Sequence, residues 1–134
     1  MKAALDTNIL IYAYADDPRT DVARELLLKG GRVSVQALNE FANVGRRKLG
    51  LSWEEISIAV ADIVMLCGDP VPLDLDIHLA GRAYAERYTL SLYDGLMIAA
   101  SVRADCDVLY SEDMHDGVLV ADRLRIVNPF TSNI

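Results

Sequence analysis

The sequence is poor in the features that mark secreted, zinc-binding and membrane proteins. Its two cysteines, Cys67 and Cys106, lack the spacing of a metal-ligand pair, which is typical of a reduced, cytosolic chain. No apolar run approaches the ~18 residues of a membrane span, because Ser57 and Asp62 interrupt the best candidate. A polar triplet at residues 6–8 interrupts the apolar start, so we expect no secretion signal. These absences predict a cytoplasmic protein with no membrane partner.

Basic residues are scarce relative to acidic ones. The sequence has 13 Lys and Arg residues against 20 Asp and Glu residues, which gives a formal net charge of −7. This balance argues against nucleic-acid binding, because the neutralisation of phosphate groups requires a basic surface. The argument fails if several of the acids are metal ligands, since a carboxylate site that binds divalent cations is far less negative than its formal charge. The positions of the acids therefore decide between the two interpretations.

The sequence does have the composition of a globular domain. Its 134 residues are 52% hydrophobic and 25% charged, without a repeat, a linker or a biased segment. Common domain sizes are about 100–150 residues. We therefore expect a single domain over residues 1–134.

Short apolar runs alternate with helical patterns along the chain. Strands are predicted at residues 2–5, 32–35, 107–110 and 125–128, and helices after residues 6–8 and at 17–28, 36–49, 52–67, 76–88 and 91–104. This alternation predicts an α/β fold, a three-layer α/β/α sandwich with a central parallel β-sheet. In such folds ligands bind at the carboxyl ends of the strands.

Local motifs predict where some of these helices begin. Asp17 is expected to cap the second helix, with Pro18 in its first position. Residues 52–55, Ser-Trp-Glu-Glu, are typical of a capping box. Residues 91–94 resemble another capping box, with Asp94 in the third place.

Several acids are expected at one edge of the sheet. Asp6 follows the first predicted strand, and Asp113 and Asp116 follow the third. Glu40 lies one turn into the helix after the second strand, and Asp94 lies in the first turn of its own helix. Clustered carboxylates cannot all stay ionised without a cation, and hard oxygen ligands suit Mg²⁺ or Mn²⁺. Such ions bind phosphate oxygens and lower the pKa of a bound water, so the pattern indicates phosphoryl chemistry.

Each acid also has a structural interpretation. Asp6 could cap the first helix, and Glu40 could be a solvated helix residue. Asp94 could serve only the capping box, although an unneeded carboxylate is unfavourable beside Gly95 in an apolar helix. Residues 111–117 have the composition of a turn. Taken together and in this order, however, the acids favour a site.

The acids occur in motifs that resemble a known family. The motifs are Leu5-Asp6-Thr7-Asn8, Asn39-Glu40-Phe41, Tyr93-Asp94-Gly95-Leu96-Met97-Ile98-Ala99-Ala100 and Leu109-Tyr110-Ser111-Glu112-Asp113. In this order they resemble the four acidic motifs of PIN-domain ribonucleases, and the chain is most similar to the VapC toxins of bacterial toxin–antitoxin pairs.

The resemblance implies roles for individual residues. Metal binding is implied for Asp6, Glu40 and Asp94, with Asp113 as the more variable fourth acid and Asp116 as a supplement. The residues that match polar positions orienting the acids or the scissile phosphate are Thr7, Asn8 and Ser111. The resemblance also implies Mg²⁺- or Mn²⁺-dependent cleavage of RNA, homodimerisation, and inhibition by an antitoxin protein.

Three further features of the sequence have more than one interpretation. The basic run Arg46-Arg47-Lys48 either pairs with the end of its helix or contacts RNA phosphates. His115 is either a fifth ligand or a surface histidine. The helix at 56–67 is expected to supply core or dimer contacts or a groove for an antitoxin helix.

Other acidic α/β proteins fit the sequence less well. A phospho-acceptor receiver domain and a haloacid-dehalogenase-type phosphatase both need a lysine late in the chain, whereas the lysines here are Lys2, Lys29 and Lys48. The phosphatase pattern also requires an Asp where Asn8 stands. A PIN-like module that binds RNA or protein without cleavage remains the main alternative to an enzyme.

Overall fold

The computed structural model describes residues 2–114 and 116–131. The elements are β1 Ala3–Leu5, α1 Thr7–Ala13, α2 Thr20–Leu28, α3 Val35–Lys48, α4 Trp53–Cys67, α5 Leu75–Tyr88, α6 Leu92–Arg103, β2 Val108–Tyr110, β3 Leu119–Val120 and β4 Leu124–Val127. His115, a candidate ligand in the sequence, lies outside the described residues. In the described part of the chain, no helix is long and apolar enough to cross a membrane.

The strands form one sheet in the order β1-β2-β4-β3. Both β1 and β4 pair with β2 in parallel, which confirms the predicted parallel core of an α/β/α sandwich. The edge strand β3 was not predicted, and it pairs with β4 antiparallel. Its tight connection places Ala121 at φ 52° and Asp122 at φ 54°. Turns of this kind usually carry Asn-Gly or Asp-Gly, so Ala-Asp hides the hairpin from sequence analysis.

The predicted strand at 32–35 was wrong in extent. The structure has only single parallel bridges there, between Arg32 and Ala4 and between Ser34 and Val71. The strand is cut short because Ser34 caps α3, its hydroxyl accepting a hydrogen bond from the Ala37 N–H at 3.0 Å. The capped helix carries Glu40.

Helix starts follow the capping chemistry with one exception. Ser52 and Glu55 form the predicted capping box of α4. The prediction that Asp17 caps α2 was wrong, because α2 begins at Thr20. The Asp17 carboxylate instead accepts hydrogen bonds from Arg19, from its main-chain N–H at 2.9 Å and from its side-chain Nε at 2.8 Å. The ion pair therefore replaces the cap.

The two glycines Gly81 and Gly95 bring α5 and α6 into backbone contact. A Cβ atom at Gly95 would collide with the carbonyl oxygen of Gly81, and a Cβ at Gly81 would lie 2.6 Å from a methyl carbon of Leu96. Helices packed this closely fix each other's position. The contact therefore holds the first turn of α6, which carries Asp94.

Candidate active site

Four separate parts of the fold bring four acids to one cavity of about 720 Å³. Asp6 follows β1 and caps α1, and Glu40 lies in the second turn of α3. Asp94 lies in the first turn of α6, and Asp113 follows β2. All four line this cavity, as do Thr7 and Asn8. The structure therefore brings together the four acids that the sequence singled out.

Asp6 is the buried acid of the set. Its side chain is 5% exposed. One carboxylate oxygen accepts the Thr7 N–H at 2.7 Å, and the other accepts the Ser111 hydroxyl at 2.7 Å. Burial raises the pKa of Asp6 to about 6, although these hydrogen bonds act against the rise. The negative charges of Asp94 and Glu40 add to it.

Glu40 and Asp94 are half-buried, and the pKa of each carboxyl group is raised. Burial raises the pKa of Glu40, and Asp94 and Asp113 raise it further against a hydrogen bond from Thr7. The Thr7 hydroxyl donates this bond to Glu40 Oε2 at 2.9 Å. Burial also raises the pKa of Asp94, with Asp113 adding to the rise and Ser91 opposing it. The acids are thus close enough to repel one another.

Asn8 connects the Asp113 segment to α1. Its amide nitrogen donates to Asp113 Oδ2 at 3.2 Å and to the Ser111 hydroxyl at 3.5 Å. Its amide oxygen accepts the Glu112 N–H at 3.3 Å. The hydroxyl of the fully buried Ser111 also accepts the Asp113 N–H at 3.3 Å. Several hydrogen bonds therefore hold the segment that carries the exposed Asp113.

Helix α6 is capped through the main-chain N–H of Asp94. The Ser91 hydroxyl caps the helix by accepting the Asp94 N–H at 3.1 Å. The same bond would form with any residue except proline at position 94. Asp94 also lines the cavity, which the cap does not require.

The donor set around the cavity is one of hard oxygen atoms. Carboxylate oxygens are the ligands that Mg²⁺ and Mn²⁺ prefer. Within residues 2–114 and 116–131, no group of three or more His, Cys, Asp or Glu side chains is close enough to form a ready-made metal cluster. The acids thus fit a divalent cation in chemistry and location, and binding requires their side chains to draw together.

Apart from Lys48, the remaining candidates do not line the cavity. Asp116 is exposed, and its carboxylate accepts the Asn128 N–H at 2.8 Å at the end of β4. Arg46 stacks over the Trp53 ring at 4.7 Å and donates to the Leu51 carbonyl at 3.1 Å.

Arg47 is exposed and does not line the cavity. Of the basic run at 46–48, Lys48 alone lines it.

Sequence analysis missed a network beside the cavity. The Tyr12 hydroxyl donates to Glu112 Oε1 at 2.6 Å, and the Arg19 guanidinium pairs with Glu112 at 3.0 Å. The same guanidinium stacks over the Tyr12 ring at 4.2 Å. Burial, together with Glu112, raises the pKa of Tyr12 to about 12. Tyr12 could have been found because it follows Asn8 by one helical turn, whereas Arg19 and Glu112 have no such spacing.

The α3 wall of the cavity is polar and was found only in part. Gln36 and Asn39 line the cavity together with Asn43, whose shared face with Glu40 was visible as helical spacing. Tyr93 lines the opposite side and is 55% exposed. Amide and aromatic side chains of this kind hydrogen-bond and stack on unpaired nucleic-acid bases.

Comparisons with known proteins give one family match. The model of the PIN domain family matches residues 3–116. No protein of curated function matches the chain by sequence.

Solved structures share the fold at low sequence identity. A toxin–antitoxin complex from Klebsiella pneumoniae is 17% identical, with a TM-score of 0.72 over 97% of this chain and 98% of that chain. The sarcin–ricin loop cleaving toxin VapC20 from Mycobacterium tuberculosis is 17% identical, with a TM-score of 0.64 over 84% and 90%. VapBC2 from Rickettsia felis, bound to a DNA fragment from its promoter, is 17% identical, with a TM-score of 0.62 over 96% and 100%.

Proposed function

Because this chain belongs to the PIN domain family, we propose that it is a divalent-metal-dependent endoribonuclease, the VapC-type toxin of a toxin–antitoxin pair. The observation that carries the proposal is the meeting of Asp6, Glu40, Asp94 and Asp113 around one cavity. These acids come from four separate segments, and burial and mutual repulsion raise the pKa values of the first three. Such an arrangement is unfavourable unless a cation binds there.

The acids would hold Mg²⁺ or Mn²⁺. Asp6, Glu40 and Asp94 are the proposed ligands, and Asp113 completes the set. When bound, the cation lowers the pKa of a water molecule and stabilises the charge that develops on a phosphodiester during cleavage.

Neighbouring residues hold the acids in position for this task. Ser111 and the Thr7 N–H fix both carboxylate oxygens of Asp6, and the Thr7 hydroxyl fixes Glu40. Asn8 fixes Asp113. Lys48 is the cation on the cavity wall suited to an RNA phosphate. Partners of this kind restrict the orientation of the ligand carboxylates, which must still draw together to bind a cation.

The proposed protein partners are an antitoxin and a second copy of the chain. Two of the solved structures with this fold are described as toxin–antitoxin assemblies. Helix α4 presents Ile58 and Met65, which are 58% and 83% exposed and lie on one face. This apolar face suits the amphipathic helix of a partner.

An RNA cleavage assay with the purified chain tests the activity. Cleavage should require Mg²⁺ or Mn²⁺ and stop when a chelator is added. Ca²⁺ should bind without supporting turnover, because its loose coordination orients the attacking water poorly. Asp94→Asn should abolish cleavage. Full activity in chelator would contradict the metal site, and RNA binding without cleavage under any metal would favour the non-catalytic PIN-like module.

A further inference from the structure

A second cavity, of about 350 Å³, lies between the sheet and the turn that follows α2. Its wall includes three basic residues, Lys2, Lys29 and Arg32, and the ring of Tyr110. The remaining wall is formed by apolar residues and two glycines, and no carboxylate lines it. The three basic residues form a local region of positive charge in a chain whose formal net charge is −7. We call this second cavity the basic cavity.

The three cations have no acidic partners among residues 2–114 and 116–131. None of them takes part in an ion pair. Arg32 donates from one terminal nitrogen to the Asp69 carbonyl at 3.1 Å, but its Nε is buried and has no hydrogen-bond partner. A buried donor without a partner is energetically unfavourable. Arg32 therefore lines the basic cavity with a charge and a buried donor that no described residue satisfies.

Among the described side chains, the acid next to the basic cavity, Asp107, forms no ion pair with the cations that line it. Asp107 accepts a hydrogen bond from the main-chain N–H of Lys2 at 3.0 Å and is exposed. Lys2 and Arg32 both lie near the buried thiol of Cys106, and both oppose the rise in its pKa that burial causes.

The basic cavity adjoins the acidic one through shared elements. Ala3 and Leu5 of β1 line the basic cavity, and the next residue, Asp6, lines the acidic cavity. On the neighbouring strand β2, Tyr110 lines the basic cavity, and Asp113, three residues after it, lines the acidic cavity. Along β1 the separation from Lys2 to Asp6 is roughly 13 Å, at about 3.3 Å per residue. A polymer with regularly spaced phosphates can reach both.

We propose that the basic cavity binds a backbone phosphate of the RNA substrate at a distance from the bond that is cut. The inference rests on the proposed ribonuclease function, and it identifies where the binding energy for a polyanion comes from. Among the residues that the structure describes, Lys48 is the single cation that lines the acidic cavity. An acidic chain that must hold RNA therefore needs cations elsewhere, and the basic cavity supplies three that have no other charged partner.

Salt dependence of RNA binding tests the proposal. The probe is a single-stranded RNA oligonucleotide, and Asp94→Asn serves as the background so that the probe stays intact. Removing Lys2 and Lys29 together, as K2Q/K29Q, should weaken binding. It should also flatten the slope of log affinity against log salt by up to about 0.7, because each neutralised phosphate of a single strand contributes about 0.7 and the basic cavity is proposed to bind one. Both side chains are exposed, so the fold should be unaffected.

The matched control removes two exposed cations elsewhere. Arg82 and Arg87 lie on α5 and line neither cavity. The double variant R82Q/R87Q should leave the slope within about 0.3 of its value in the background protein. Exposed cations that do not contact the RNA contribute little to the slope, because salt screens their charge. An unchanged slope in K2Q/K29Q, or an equal loss in both double variants, overturns the proposal. If the wild-type chain cleaves RNA while the slope is unchanged, this inference fails and the ribonuclease function stands. If the chain neither binds nor cleaves RNA, both fail.

Discussion

At the scale of single residues, the central feature is a buried acid held in place before any cation arrives. Asp6 is 5% exposed, and both of its oxygens accept hydrogen bonds. These bonds orient the carboxylate but do not offset burial, so its pKa is raised to about 6. The site thus stores unfavourable charge that a divalent cation would neutralise.

This raised pKa predicts how the stability of the metal-free protein depends on pH. The folded state keeps a proton on Asp6 that the unfolded state releases, because the pKa falls from about 6 to 3.8 on unfolding. Stability should therefore decrease as the pH rises through this interval, by at most about 3 kcal/mol for two pKa units. Urea unfolding in chelator should show the decrease in the wild type, and Asp6→Asn should make it smaller, with the raised pKa values of Glu40 and Asp94 accounting for what is left. A wild-type stability that rises over the interval would contradict the assignment.

A second prediction at this scale concerns Glu112, which holds the Asp113 segment through Tyr12 and Arg19. Glu112→Gln keeps an acceptor for the Tyr12 hydroxyl but removes the charge that binds Arg19. We expect kcat to fall by about 10-fold with little change in KM, as is common when a residue that orients a metal ligand is lost.

The control for Glu112 is Asp17→Asn, which removes the other carboxylate partner of Arg19. It should leave kcat within about 2-fold, because the Asp113 segment keeps its anchor. Equal losses in both variants would mean that Arg19, rather than Glu112, is the residue that matters.

At the scale of elements, the contact between α5 and α6 positions Asp94. Gly95→Ala should destabilise the protein by about 2–3 kcal/mol, since the new methyl group meets the backbone of α5 rather than a flexible side chain. Urea unfolding measures the loss. Gly50→Ala is the comparison, because Gly50 has φ +66° but open space around it, so it carries backbone strain alone. A Gly95→Ala variant as stable as the wild type would show that α6 can move away.

The helices and strands show how far the sequence predicts the structure. Capping chemistry and apolar periodicity identify α4 and α6, because Ser52 and Ser91 act on neighbouring residues. The parallel pairing of β1, β2 and β4 follows from their alternation with helices. The hairpin of β3 and the shortened strand at 32–35 could not be predicted, since tertiary contacts override weak local preferences there.

For the site, the four acids were predictable because each stands at the end of a predicted strand or in the first two turns of a helix. Their hydrogen-bond partners Thr7 and Asn8 were adjacent in sequence and were also found. The pair of Arg19 with Glu112 was not, since 93 positions separate its members. The basic cavity likewise depends on three segments that only the fold brings together.

At the scale of the whole molecule, the opposing charges have a spatial order. The net charge of −7 includes four acids in one cavity, whereas the basic cavity gathers Lys2, Lys29 and Arg32 on the other side of Asp6 along β1. Cation binding at the acids would reduce the negative charge of the acidic cavity. The proposed RNA ligand is then compatible with the acidic composition.

The most direct test of the central claim is the shift in thermal unfolding that Mg²⁺ causes. A cation that binds only the folded state stabilises it by about 2.7 kcal/mol at 100 times its Kd. The wild type should show this shift, and so should Asp116→Asn, which changes an acid outside the cavity and keeps an acceptor for Asn128. Asp94→Asn should lose the shift and, without metal, be at least as stable as the wild type. An Asp94→Asn protein that keeps the full Mg²⁺ shift would contradict the account, because Asp94 would then be no more than part of a helix cap.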